Sequence, residues 1–309
     1  MVSMKDDERQ TRSYLMQLFE RHGFNPRSDL GQNFLIDLNI IEYIVENGHI
    51  QPTDIVLEIG TGTGGMTTFM AQQARHVVTV EYDANMHTLA SEATQKYDNI
   101  TLLNCDALKN KNQLSPTVIN EIEKQLQANP GSHLKLIANL PYNVATPIVS
   151  NLVASDLPWS RMVVTIQLEL GLKMSCRPST SNYGALSVWL QSQCFVKLLK
   201  KLGPTVFWPR PKVDSAIVQL TPNPPLKKTI GDRVFFQDFV RRVFQHRRKL
   251  MRSTLTNMYT KQLSKSEVDE ILLAHGIVKE KARAEELSVS ELIPLAHSFQ
   301  EQIAQKTSI

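Results

Sequence analysis

The chain has 309 residues, 42% of them hydrophobic, enough to bury one doubly wound core and leave a smaller second unit. Its three cysteines, Cys105, Cys176 and Cys194, share no C-x-x-C spacing, which argues against a disulfide framework or a thiolate zinc site and fits a reducing, cytoplasmic compartment. The net charge of +4 is unevenly spread: residues 222–309 hold 15 Lys/Arg against 10 Asp/Glu, whereas residues 1–221 hold 19 against 20.

The chain opens on a helical lead-in to about residue 30. Lys5, Asp6, Asp7, Glu8, Arg9 and Arg12 leave no room there for the apolar stretch of a secretory signal, and no later run is long and apolar enough to span a bilayer. Apolar runs of strand length then alternate with helical-period stretches, the pattern of an α/β fold with a mostly parallel sheet covered on both faces. Seven strands are expected, at Ile55–Ile59, Val77–Glu81, Ile100–Asn104, Leu134–Ala138, Met162–Gln167, Cys194–Leu199 and Ser215–Leu220. The long connection Lys109–His133 carries Val118, Ile119, Ile122 and Leu126 at helical spacing and predicts one extra amphipathic helix.

Thr221-Pro222-Asn223-Pro224-Pro225 cannot continue a central strand, so the domain boundary is placed there, giving domains 1–221 and 222–309. Beyond it, Phe235, Phe236, Phe239, Val240, Val243 and Phe244, then Val268, Ile271, Leu272 and Leu273, recur at helical intervals and predict a small all-helical domain. Between Asp238 and Glu267 no acid occurs, while Arg241, Arg242, Arg247, Arg248, Lys249, Arg252, Lys261 and Lys265 do; that distribution predicts a polyanion-facing surface.

The first strand runs into Gly60-Thr61-Gly62-Thr63-Gly64-Gly65, where glycines let the backbone approach a ligand and present helix N-terminal amides. This turn alone also satisfies a dinucleotide pattern, with Glu81 about where a ribose-binding acid stands, so a nicotinamide oxidoreductase stays open on it. Glu58 lies just before the turn, Glu81 ends the second strand and Asp106 follows the third. Acids thus mark three successive strands at the edge where open sheets bind ligands, Glu81 suited to ribose hydroxyls and Asp106 to an adenine amine.

The fourth strand ends in Asn139-Leu140-Pro141-Tyr142. Asn139 offers a side-chain oxygen and Leu140 a carbonyl, aimed by Pro141, to the two hydrogens of an aryl amine, while Tyr142 offers a face for the ring. Such a site would localise the amine lone pair for in-line methyl transfer without metal or strong base. Phe207-Trp208-Pro209-Arg210-Pro211-Lys212 combines aromatics and cations, and Phe207 is the residue expected to clamp the base's other face, with Trp208 equally suited to core packing. The eight histidines show no metal-ligand or triad spacing.

Together these strings resemble the small-subunit ribosomal RNA adenine dimethyltransferases. Gly31-Gln32-Asn33-Phe34-Leu35, the glycine turn, Glu81, Asp106, Asn139–Tyr142 with Thr146-Pro147, Tyr183-Gly184, Pro211–Ala216 and Arg247-Arg248-Lys249 stand in that family's order, from about Leu30 almost to the C-terminus. The resemblance implies a seven-stranded Rossmann-like methyltransferase sheet and S-adenosylmethionine held by Asn33, Leu35, Gly60, Glu81, Asp106 and Asn139; the glycine turn adds Gly62 to the expected cofactor contacts, and the residue spacing leads to no metal being expected. It also implies two adjacent adenines near the 3′ end of small-subunit RNA as targets, each methylated twice, with Arg241, Arg247, Arg248, Lys249 and Arg252 on the RNA and a monomer acting on the small subunit. One departure stands out: where the family usually reads Gln-Lys-Glu-Val-Ala, this chain has Gln167-Leu168-Glu169-Leu170-Gly171, which removes a cation from a phosphate or pocket contact. Two other readings keep their place beside it. One is a large-subunit RNA adenine methylase of the macrolide-resistance type; the other is an RNA-binding assembly factor with weak or lost methylation.

Overall fold

Each predicted strand forms, because each is an apolar run closed by a turn. The computed structural model describes residues 10–277 and 282–307. The elements that build the site are α1 (Arg12–His22), β1 (Phe34–Leu35), α2 (Leu38–Gly48), β2 (Ile55–Ile59), α3 (Gly65–Ala71), β3 (His76–Glu81), α4 (Ala84–Thr94) and β4 (Ile100–Asn104). A hairpin, β5 (Leu108–Asn110) and β6 (Gln113–Leu114), leads into α5 (Pro116–Ala128), β7 (Leu134–Asn139), α6 (Ala145–Ala154) and β8 (Trp159–Gln167). Then come α7 (Leu168–Ser175), α8 (Ala185–Gln191), β9 (Cys194–Leu202), β10 (Phe207–Trp208) and β11 (Ser215–Pro222).

The seven-stranded sheet runs in the order β4-β3-β2-β7-β8-β11-β9, with β2, β3, β4, β7 and β8 parallel and β11 antiparallel to β8. Strand order reverses between β2 and β7, so the crevice outside their carboxyl ends is where such a sheet takes a ligand. β2 is buried along its whole length, as a central parallel strand covered on both faces must be. The helix expected in the 109–133 connection is α5, which buries Val118 and Ile122.

Beneath the sheet's amino edge sits a buried ion pair. Lys135 and Asp54 meet at 2.8 Å with side chains 7% and 4% exposed, and the Lys135 ammonium also donates to the carbonyls of Gly48 (3.1 Å) and His49. The pair ties the C-terminal end of α2 to the starts of β2 and β7.

The chain divides into two compact units: the residues up to Gly171 with Lys197–Pro222, and Leu172–Val196 with the residues from Asn223 on. The sequence reading had kept 172–196 with the sheet. The second unit holds α9 (Pro224–Lys228), whose prolines occupy its first turn, α10 (Arg233–Phe244), α11 (Met251–Met258), α12 (Lys265–Ala274) and α13 (Val289–Thr307). Its core gathers Phe236, Phe239, Val240, Val243, Val268, Leu272 and Phe299. Leu273, one residue past the buried Leu272 and so turned by about 100°, is 71% exposed.

Candidate active site

A cavity of about 290 Å³ opens at the carboxyl ends of β2, β3, β4 and β7, lined by Asn33, Gly60, Gly62, Glu81, Asp106, Asn139, Leu140 and Tyr142 among others. The glycine turn explains its shape. Gly60 takes φ +86° and Gly62 φ +57°, left-handed values that L side chains rarely adopt. A Cβ at Gly60 would lie 3.0 Å from Pro141 Cδ, and one at Gly62 would lie 3.1 Å from the Phe34 ring. The turn, the strand exit at Pro141 and the β1 segment are therefore packed against one another at the cavity's floor.

Polar groups around the cavity are held by their neighbours. Glu81 accepts from the Gly62 amide at 2.8 Å through Oε2 and from the Asp83 amide at 2.9 Å through Oε1. Burial pushes its carboxyl pKa upward, while those amides pull the other way. Each oxygen keeps a lone pair for a ligand hydroxyl. Asp83 caps α4 through the amides of Asn85 and Met86 and accepts from Gln32 at 3.1 Å, which joins the Gly31–Leu35 segment to this corner. Asp106 is exposed, and its Oδ1 accepts the Leu108 amide at 2.8 Å, leaving Oδ2 for a ligand.

Glu58 lies behind the turn, fully buried. Its Oε2 accepts from Thr67 and Thr79, both at 2.6 Å, and Thr79 meets Thr61 at 2.7 Å. Burial pushes the Glu58 carboxyl up to about 8 against the pull of the two hydroxyls, and nearby Glu81 adds to the rise. The acid that the sequence places before the turn is thus a neutral pin between β2, β3 and α3 rather than a ligand group on the cavity.

At the exit of β7, Asn139 Nδ2 donates to the Asn33 carbonyl at 2.9 Å. That bond commits the nitrogen and leaves Oδ1 as the free end of the amide. The Leu140 amide donates to the Thr165 carbonyl across the sheet at 3.1 Å, fixing the Asn139–Leu140 peptide just before Pro141. Tyr142 is half-buried with its hydroxyl 2.6 Å from Ser215 Oγ, and burial raises its pKa. Asn139, Leu140 and the anchored Tyr142 all line the cavity, residue types that can offer oxygen acceptors and a ring face to an aryl amine.

Two sequence expectations do not reach this cavity. Leu35 pairs with Phe207 in the β1–β10 ribbon and packs on the core cluster of Ile40, Ile41 and Ile44. Phe207 is 1% exposed in the same cluster, because adjacent residues of a strand face opposite ways and its neighbour Trp208 takes the other side, edge-on to Phe19 at 5.3 Å. The structure does not present Phe207 to a base in the cavity. Conversely, the sequence reading missed Tyr82, 62% exposed at the cavity mouth, and Gln10. Gln10 Nε2 donates to the Thr63 carbonyl at 2.9 Å and its Oε1 accepts from the Thr63 hydroxyl, clasping the glycine turn from 53 residues away. A strand-end acid followed by an aromatic was a usable signal for Tyr82; nothing local marks Gln10.

In the second unit, the five cations expected on RNA divide. Arg247 donates to the carbonyls of Ser181 (2.7 Å) and Tyr183 (2.8 Å) and faces Glu285, Arg252 grips Asp269 with two bonds (2.6 and 3.0 Å), and Arg241 pairs with Asp238 at 2.5 Å. Arg248 and Lys249 are exposed with no ion pair among the described residues. Among the described residues, no group of three or more potential metal-ligating side chains occurs, and no helix is long and apolar enough to cross a membrane.

The sheet order, the antiparallel β11 and the glycine turn at the switch point define a Rossmann-like class I methyltransferase fold. It is similar to a crystal structure of a dimethyladenosine transferase from Plasmodium falciparum, with TM-score 0.72 and 23% identity over 86% of this chain and 97% of that one. It is also similar to a crystal structure of the 23S rRNA methyltransferase ErmE, with TM-score 0.60 and 22% identity over 87% and 100%. The family model described as ribosomal RNA adenine dimethylase matches residues 23–300, and the chain belongs to that family. It is 37% identical over 284 residues to a ribosomal RNA small subunit methyltransferase A of Pediococcus pentosaceus, covering 92% of this chain and 93% of that protein. To the protein of the same name from Alkaliphilus metalliredigens it is 38% identical over 280 residues, 90% of this chain and 93% of that one.

Proposed function

We propose that this protein transfers methyl groups from S-adenosylmethionine to the N6 amines of two adjacent adenines near the 3′ end of small-subunit ribosomal RNA, each twice, in the cytoplasm during ribosome assembly. The observation that carries the chemistry is the Asn139 amide: its nitrogen donates to Asn33, which leaves its oxygen as an acceptor beside Leu140, and both residues line the cavity. The cavity's groups fit the cofactor: Glu81 for ribose hydroxyls, Asp106 Oδ2 for an adenine amine, and Gly60 and Gly62 for close backbone approach. When bound, S-adenosylmethionine supplies an electrophilic methyl group.

Asn139 and Leu140 would each accept one hydrogen of the target amine, turning its lone pair out of conjugation with the ring and toward the cofactor side. Tyr142, held by Ser215, gives the extruded base a surface to stack on. Fixing nucleophile and electrophile in one geometry removes much of the entropic barrier, so no strong base is needed; the product's proton passes to solvent. Arg248 and Lys249 would contact phosphates, with Arg241, Arg247 and Arg252 shaping the surface from which they project.

The test is incubation of small subunits lacking the modification with methyl-labelled cofactor, followed by mapping of the labelled nucleoside. Dimethyladenosine at two neighbouring positions of small-subunit RNA is expected. Label confined to large-subunit RNA would move the target, and tight subunit binding without label would make the protein an assembly factor.

A further inference from the structure

A second cavity, of about 400 Å³, lies within the sheet-bearing unit beside the β1–β10 ribbon. Its walls are apolar, with Ile36, Phe207, Trp208 and Pro209, and Arg12 and Arg210 stand at it. Both arginines are exposed and neither makes an ion pair with a described residue. Trp208 is half-buried, and its ring packs 6.3 Å from that of Phe34, which itself lines the first cavity. The two cavities therefore back onto one shared pair of aromatic rings.

Two unpaired guanidinium groups beside an aromatic wall match one chemistry in particular. A planar base fits against indole and proline, and guanidinium groups bind phosphate through paired donors. An acidic peptide would use the charge but leave the indole idle, and an apolar ligand would leave the charge idle. We propose that this cavity is a second nucleotide site, which takes a single-stranded nucleotide of the same RNA beside the target base, stacks it on Trp208 and holds its phosphate between Arg12 and Arg210. The inference rests on the reading of the protein as an RNA enzyme. It gives Trp208 and Arg210 a task that the first cavity does not, and it lets a strand that lowers one adenine into the first cavity be gripped a second time beside the ribbon.

The test uses the full chain and a short single-stranded oligoadenylate RNA. Trp159 and Trp189 are 7% and 5% exposed, so RNA-dependent quenching of tryptophan fluorescence should come from Trp208 and vanish in Trp208→Phe. The double variant Arg12→Gln/Arg210→Gln should bind the oligonucleotide about tenfold more weakly and lose ~0.7 of the slope of log affinity against log salt for each phosphate contact removed. Arg12→Lys/Arg210→Lys should recover part of both, and cofactor affinity by calorimetry should not move. Unchanged RNA affinity and salt slope in the double variant would overturn the proposal, as would equal quenching by inorganic phosphate alone, which would reduce the cavity to an anion site. If the parent binds oligonucleotide through these residues yet methylates no ribosomal RNA, the functional reading fails and this site stands; if the parent methylates and the double variant binds and reacts like it, this site alone falls.

Discussion

Replacing Asn139 with alanine isolates the acceptor on which the chemistry turns. The parent side chain donates through Nδ2 to the Asn33 carbonyl at 2.9 Å, which leaves Oδ1 for the proposed contact with the target amine. If Oδ1 engages the amine most strongly as its lone pair localises, its loss resembles removal of one preorganised hydrogen-bonding group from a transition state, about 2.7–4 kcal/mol or roughly a hundred- to thousandfold in rate. Loss of the Nδ2 bond leaves the Asn33 carbonyl at the cavity rim without that donor, a cost of about 1 kcal/mol where water can replace it, so cofactor affinity should fall no more than about tenfold. Asn139→Asp separates the two effects: it keeps an acceptor oxygen but sets a second one against the Asn33 carbonyl, and its loss should fall more heavily on cofactor binding. Single-turnover transfer of labelled methyl groups to small subunits measures the first quantity and calorimetry with cofactor the second. An alanine variant that turns over as fast as the parent would refute the acceptor role.

Three further outcomes follow from buried and exposed charge. Folding raises the Glu58 pKa from the ordinary carboxyl range to about 8, so the stability it lends is fully present at acid pH and lost as pH rises toward 8; denaturant titrations at several pH values should show this fall in the parent relative to Glu58→Gln, and parallel curves would contradict it. Lys135→Met strands Asp54 as a buried charge and should cost about 3–5 kcal/mol of unfolding free energy, part of it regained when Asp54→Asn is added; a shift below about 1 kcal/mol would show the pair to be solvated. Arg248→Gln with Lys249→Gln should weaken RNA binding and flatten its salt dependence without changing the melting temperature, whereas Arg247→Gln should lower the melting temperature because it releases the Ser181 and Tyr183 carbonyls. Identical behaviour of the two variants would mean that Arg247 is not the structural member of the trio.

The sheet was legible because burial on both faces writes an uninterrupted apolar run, as in Ile55–Ile59, and because each run ends in a turn. The cavity's acids and the Asn139 tetrapeptide were legible for the same reason: they sit at strand ends, where a sheet's topology gathers residues far apart in the chain. What escaped was short or distant. A two-residue ribbon has no periodicity to read, so the inward turn of Phe207 could not be told from the outward turn of Trp208. Charge counting found the basic stretch but not the acids that neutralise part of it, since Asp269 and Glu285 lie well along the chain from Arg252 and Arg247. Gln10 reaches the glycine turn only through the fold that α1 adopts.

Because a Cβ added at Gly60 would lie 3.0 Å from Pro141 Cδ, the glycine turn and the exit of β7 pack as a single mechanical part. A change that widens one loop displaces the other, so the two sides of the cavity cannot be reshaped independently. In an engineering campaign, position 60 should stay glycine, because a side chain there would meet both a backbone φ of +86° and the Pro141 ring.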